Sequence, residues 1–258
     1  MRLMKRILSA AAVLALSASL LVGCSSGTAS SAPVSASSAA ESTVSSVEET
    51  ASSAVDENEA AAAQLLNDLT GSYQELWPVI LADEYKQTWL DDCTALVGED
   101  NAEAAFEKLS SMVTGDVYGE DAVKAYANGG GAYFCGFTND LATLTFDGET
   151  STISGTDKDG NVLFSHTYHY IGMEPVRGLY EFESDDADSG EFTYFFLAPD
   201  TSAETYHIEF RYGSDAEALS QYDAGEYAYW LASGISTDCD QTMIDNCIEL
   251  FCTENLAG

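Results

Sequence analysis

Leu141-Ala142-Thr143-Leu144-Thr145-Phe146, Asp147-Gly148, Thr152-Ile153-Ser154-Gly155, Asp157-Lys158-Asp159-Gly160 and Val162-Leu163-Phe164-Ser165-His166-Thr167-Tyr168-His169-Tyr170-Ile171 follow one another and decide the fold. Short runs of β-branched and aromatic residues alternate with Asp/Gly turns, which reads as strand, turn, strand, turn and a long strand. The series continues outward from there. Phe134 to Phe137 forms an earlier run behind the Gly129-Gly130-Gly131 turn, and Leu179 to Glu183, Phe192 to Leu197 and Thr205 to Tyr212 follow. Evenly spaced short strands predict a closed or nearly closed antiparallel barrel or sandwich. Helices flank it. Leu65, Leu66, Leu69, Tyr73, Leu76 and Trp77 recur at helical spacing, with Pro78 just beyond, and Ala60 to Ala63 begins that helix. Ala102 to Met112, Ala216 to Leu219 and Gln241 to Cys252 also read as helical, so the class is mainly β with added helices (α+β).

The N-terminus carries an export signal. Met1-Arg2-Leu3-Met4-Lys5-Arg6 holds three of the nine basic residues of the chain, and an apolar stretch runs from Ile7 to Val22. A basic start followed by a short apolar core is a secretory signal rather than a membrane span. It ends in Leu21-Val22-Gly23-Cys24, the pattern of a bacterial lipobox. Residues 1–23 are therefore expected to be removed and Cys24 to carry lipid. Two or more acyl chains, at about 0.8 kcal/mol per buried methylene, anchor stably. Residues 24–63 are rich in Ser, Ala and Glu and lack aromatic residues. Such a segment buries too little to offset its ordering entropy and reads as a tether. Residues 64–258 suit one folded domain.

All 43 acidic residues follow Cys24, against six basic ones: Lys86, Lys108, Lys124, Lys158, Arg177 and Arg211. Nucleic-acid binding needs a basic footprint and is excluded on this balance. Adsorption to anionic headgroups is equally disfavoured, which leaves the acyl chains as the membrane partner. An acidic surface gathers cations, and it also serves solubility. Five cysteines follow Cys24: Cys93, Cys135, Cys239, Cys247 and Cys252. Export permits disulfides, the odd count leaves one thiol unpaired, and without a CxxC pair structural or disulfide roles are favoured over a metal-thiolate site.

Signals of catalysis are weak. GxSxG, HExxH, a phosphate-binding Gly loop and a dinucleotide fingerprint are all absent, so the chain does not read as an enzyme. One run stands out: Thr205-Tyr206-His207-Ile208-Glu209-Phe210-Arg211-Tyr212. On a strand, Tyr206, Ile208, Phe210 and Tyr212 share one face, and Thr205, His207, Glu209 and Arg211 the other. An imidazole and a carboxylate two residues apart, with Cα atoms about 6–7 Å apart, can close on one Zn²⁺. A solvated face is the simpler reading of that spacing alone.

The blocks in order resemble the ZinT domain, a lipocalin-like zinc-binding module. It occurs as a free periplasmic protein and as the C-terminal part of AdcA-type zinc lipoproteins. Leu66 to Pro78 is similar to the family's opening, Phe164 to Gly172 to its Tyr-Lys-Tyr-Val-Gly strand, and Val176 to Glu183 to its Gly-Val-Arg…Phe-Glu strand. Asp186 to Phe192 resembles a family turn. His207 to Gly213 falls on the HxH…Gly strand, and Ala216 to Leu219 on the helix after it. The resemblance implies a lipocalin/calycin-like antiparallel β-barrel with N- and C-terminal helices. It also implies a zinc site of three histidines, two in the HxH and one on the preceding strand. Here His207 takes the first HxH place and Glu209 the second. Alignment from the Asp-Ala-Asp turn puts Asp200 at the third place; alignment from Ala198-Pro199 puts Phe195 there, which cannot ligate. His166 and His169 lie on opposite faces of their strand, and each is a candidate fourth ligand or a satisfied structural histidine. The family's His-rich N-terminal run has no counterpart.

An Asp/His/Glu set is harder than three histidines, so it would hold zinc more weakly and favour Mn²⁺ or Ca²⁺ more. The resemblance thus implies a lipid-anchored protein outside the cytoplasm that binds a divalent metal, zinc first, beside an ABC-type metal transporter. Two other classes stand beside it: a lipocalin-like binder of a small apolar ligand in a cup lined from the 14 Tyr and 11 Phe, and a structural surface module.

Overall fold

Thr70-Gly71 ends the first helix, and that break closes the barrel. The computed structural model describes residues 57–199 and 207–256, all within one compact unit, Thr43–Gly258. Helix α1 (57–68) is followed at once by strand β1 (Gly71–Glu75), then helix α2 (Leu76–Ile80). The single helix expected over Leu65 to Trp77 is therefore three elements. Its apolar spacing holds because Leu65, Leu66, Leu69 and Tyr73 turn to the barrel core while Leu76 and Trp77 turn to an outer layer. Pro78 lies inside the first turn of α2, where its missing N–H costs nothing.

Helices α3 (Lys86–Val97), α4 (Glu99–Ser111) and α5 (Glu120–Ala127) precede the remaining strands. These strands are β2 (Thr143–Asp147), β3 (Thr152–Thr156), β4 (Val162–Met173), β5 (Tyr180–Ser184), β6 (Tyr194–Leu197), β7 (His207–Gly213) and β8 (Ala232–Ser236). Helix α6 (Ala216–Leu219) lies between β7 and β8, and α7 (Gln241–Leu256) comes last. Each strand pairs antiparallel with the next, and β8 returns to β1 through Tyr73↔Ser236 and Glu75↔Gly234. The result is a closed eight-stranded barrel, the lipocalin-like architecture expected, with helices at both ends of the chain. Closure leaves no open sheet edge.

The strand expected over Phe134 to Phe137 does not form. Phe134 makes isolated bridges to Thr114 and Trp230, and the Phe134 and Cys135 carbonyls accept from the N–H groups of Leu231 and Ser233. Its backbone is satisfied one bond at a time between different neighbours, without a ladder. The Asp147-Gly148 turn forms as read and also locks α1 to the barrel. Gly148 N–H donates to Thr70 Oγ1 at 3.0 Å, and a Cβ at residue 148 would meet Asn67 Cα at 2.4 Å, so only glycine fits.

Alternation sorts the side chains. Leu144, Phe146, Ile153, Phe164, Tyr168, Phe182, Phe195, Ile208, Phe210 and Tyr212 belong to one buried cluster inside the wall. Their rings fill it: Phe195 lies 5.4 Å from Tyr212 and Tyr212 lies 5.0 Å from Trp230. The Tyr212 hydroxyl donates to the Thr138 carbonyl at 2.8 Å and accepts from the Thr138 N–H at 2.6 Å, so this deep polar atom is paired. A second cluster lies outside the wall. Ile235 of β8 meets Leu76, Trp77, Ile80, Trp89, Leu109 and Ile248 there, and Trp89 Nε1 donates to the Ile80 carbonyl at 2.7 Å.

Candidate metal centre

Strand β7 sets the geometry of the candidate centre. Ile208 and Phe210 pair with Gly234 and Ala232 on the inner face, while His207 and Glu209 pair with Ile235 and Ser233 on the outer face. The shared face read from alternation is therefore present. Both side chains are partly buried, and they look toward the layer that holds Ile235, not into the barrel.

Glu209 makes itself felt on two thiols. Burial pushes Cys135 up to about 12, and the Glu209 charge adds to the rise. Cys247 of α7 is likewise pushed up to about 12 by burial, then by Cys239 and Glu209. At neutral pH both are therefore neutral thiols, poor nucleophiles and poor ligands. Arg211 shares the outer row but serves the backbone. It is fully buried, and its Nη groups donate to the carbonyls of Leu219, Gln221 and Tyr227. Its guanidinium also stacks 4.3 Å from the Tyr222 ring, whose other close cation is Arg177 at 4.4 Å. This cation fixes the segment that covers the outside of β7.

The two candidate fourth ligands stand elsewhere. His166 belongs to the inward row of β4, opposite Ile153, and its Nδ1 lies 2.8 Å from Asp186 Oδ2. His169 points outward, with Nδ1 2.7 Å from Asp185 Oδ1. Strands β4 and β7 are three steps apart in the barrel, or about 14 Å along the wall at roughly 4.8 Å per step. Neither histidine joins His207 and Glu209. Both are held by carboxylates of the turn after β5.

Asp200, the third expected ligand, lies outside the described residues, as does Cys24. Phe195, the alternative at that place, is fully buried in the barrel core. Among the described residues no group of three or more His, Cys, Asp or Glu side chains is arranged to hold a metal. Two donors on one strand face thus fit one edge of a tetrahedral site, and the set needs at least one more.

A groove that the sequence did not reveal lies near this face. It encloses about 360 Å³ between Glu75, Trp77, Asp116, Phe134 and Cys135. Glu75 is held there by the Phe137 N–H, which donates to its Oε1 at 2.6 Å. Its lining comes from three segments far apart in sequence, so no local pattern marks it.

No family model matches the chain, and neither does any curated protein. Among the solved structures similar to it are two of a zinc-binding protein. One is the Zn(II)-bound ZinT-like domain of Streptococcus pneumoniae AdcA, at 17% identity and a TM-score of 0.45, covering 71% of this chain and 89% of that one. The other is Zn(II)-bound AdcA from the same organism, at 16% identity and a TM-score of 0.42, covering 72% of this chain and 35% of that one. The present chain spans about a third of the longer AdcA chain.

Proposed function

We propose that the chain is a divalent-metal-binding lipoprotein of the bacterial cell envelope, anchored through Cys24, which captures metal and passes it to an ABC-type uptake system. The observation that carries the reading is the pair His207 and Glu209 on one outer row of β7. An imidazole and a carboxylate on adjacent same-face positions can bind one cation, and the acidic chain raises local cation concentration. Zinc is the first metal to test because the sequence blocks resemble a zinc-binding family. Asp200 is the proposed third ligand. Isothermal titration of the mature protein with Zn²⁺ should show one saturable site that disappears in the His207→Ala/Glu209→Ala double variant. An unchanged titration in that variant would sink the assignment. Anchoring is tested separately: palmitate labelling of the expressed chain should be lost in Cys24→Ala.

The groove beside Glu75 favours a second reading, a binder of a small, partly apolar ligand. Its volume lies near the lower end of small-molecule sites, and Trp77 and Phe134 supply apolar walls. The barrel interior is not the place for it, because aromatic side chains fill the inner rows. Native mass spectrometry separates the two readings: a metal ion on the protein supports the first, an organic adduct the second.

A further inference from the structure

We propose that Cys93 and Cys252 form a disulfide in the exported protein, stapling the C-terminal helix α7 to α3. The two sulfurs lie 4.0 Å apart across the interface of these helices, and both residues are fully buried. The partners are 159 residues apart in sequence. A disulfide needs the sulfurs at roughly 2.05 Å, so the 4.0 Å gap has about 2 Å to close as the bond forms. Thiols this close persist reduced in a reducing compartment and pair in an oxidising one. The proposal rests on export, the location read from the signal and lipobox. Cys135, Cys239 and Cys247 are then the three thiols left over.

The chemistry balances as thiol–disulfide exchange. One thiolate attacks a sulfur of an external disulfide, either that of an exported dithiol–disulfide oxidoreductase or oxidised glutathione. A mixed disulfide forms and one thiolate leaves. The second cysteine then attacks the mixed disulfide, so the protein sulfurs bond to each other and the oxidant departs as two reduced thiols. Both cysteines are sealed from solvent in the folded chain, so exchange takes place before α7 docks on α3. Burial, followed for Cys252 by the neighbouring Cys93, also holds both thiols above their ordinary range. Few thiolates are therefore present once folding is complete. The finished bond should resist reductant until the protein is unfolded.

The test uses the full chain in two preparations. One is exported by a bacterial host, harvested into denaturant with N-ethylmaleimide to trap every thiol, and mapped by mass spectrometry. The other is unfolded with reductant, refolded in oxidised and reduced glutathione, and mapped the same way. The expected result in both is a cross-linked peptide pair containing Cys93 and Cys252, with label on Cys135, Cys239 and Cys247. Dithiothreitol should open the link in denaturant and leave it closed in native buffer. Unlinked Cys93 and Cys252 in the refolded chain, or a bond to another cysteine, would overturn the proposal wherever the protein resides. Free thiols at Cys93 and Cys252 in the exported chain would also overturn the proposal, and a bond present only in the refolded chain would trace that failure to the location and not to the geometry.

Discussion

The two hydrophobic clusters of this protein are built on different principles. Inside the barrel, Phe195, Phe210, Tyr212 and Trp230 pack ring against ring, and the hydroxyl of Tyr212 is paired. Outside it, α2, α3, α4 and α7 lie on the flank of β8, and the layer holds all five described cysteines: Cys93, Cys135, Cys247 and Cys252 buried within it and Cys239 packed against it. Carboxylates crowd its rim. Asp92 of α3 is pushed up by burial and then by Glu249 and Asp245 of α7, and its buried Oδ2 has no hydrogen-bond partner among the described residues. The inner cluster is therefore finished, with little left to titrate or ligate. The outer layer keeps polar and sulfur groups in tension, and it is the layer that His207 and Glu209 face.

The largest expected break in this contrast is the staple. Closing a loop of 159 residues is worth about 5 kcal/mol in the chain-entropy description. Urea unfolding of the oxidised chain should lose most of that in Cys93→Ala, while the reduced chain should change far less. Next comes the inner cluster: Phe210→Ala should cost about 3–5 kcal/mol, because a closed barrel cannot collapse onto the cavity. That loss should be the same with or without reductant, which separates the two clusters. A smaller effect sharpens the picture of the thiols. Cys239 is partly exposed while Cys135 and Cys247 are buried, so a thiol reagent on the native protein at neutral pH should label Cys239 first and the other two only on unfolding.

The smallest effect is electrostatic, and its sign is fixed. The Asp92 carboxyl is raised in the folded state above its ordinary 3.8, so the folded chain holds this proton more tightly. Its contribution to stability falls as pH rises from near 3.8 through the folded value, and stays lost above it. Asp92→Asn should therefore be more stable than the parent at pH 7, and the two should converge in acid. Glu181, raised by burial and by Glu174, acts in the same direction. Added salt should raise the melting temperature of both proteins by screening the formal charge of −34.

The sequence made the middle of the barrel plain, since β2 to β5 obey alternation and end at Asp/Gly turns. It hid the two strands that close the ring. In β1, Tyr73 sits four residues after Leu69 and three before Leu76, a spacing that a helix satisfies equally well. In β8, Ala232-Ser233-Gly234-Ile235-Ser236 is too small and polar to stand out, because Gly234 must let Ile208 and the Gln74 carbonyl approach. The shared face of His207 and Glu209 was legible because it depends only on strand periodicity. The distance of His166 and His169 from it was not, because strand order around a barrel leaves no trace in local spacing. The groove beside Glu75 was hidden for the same reason.

The central claim is that His207 and Glu209 hold a divalent metal in the protein as the cell makes it. Elemental analysis of the chain purified from the envelope without chelator, beside its His207→Ala variant, tests that claim most directly. The account predicts close to one equivalent of a divalent metal, zinc first, in the parent and little in the variant. Equal metal in both, or none in either, would contradict it.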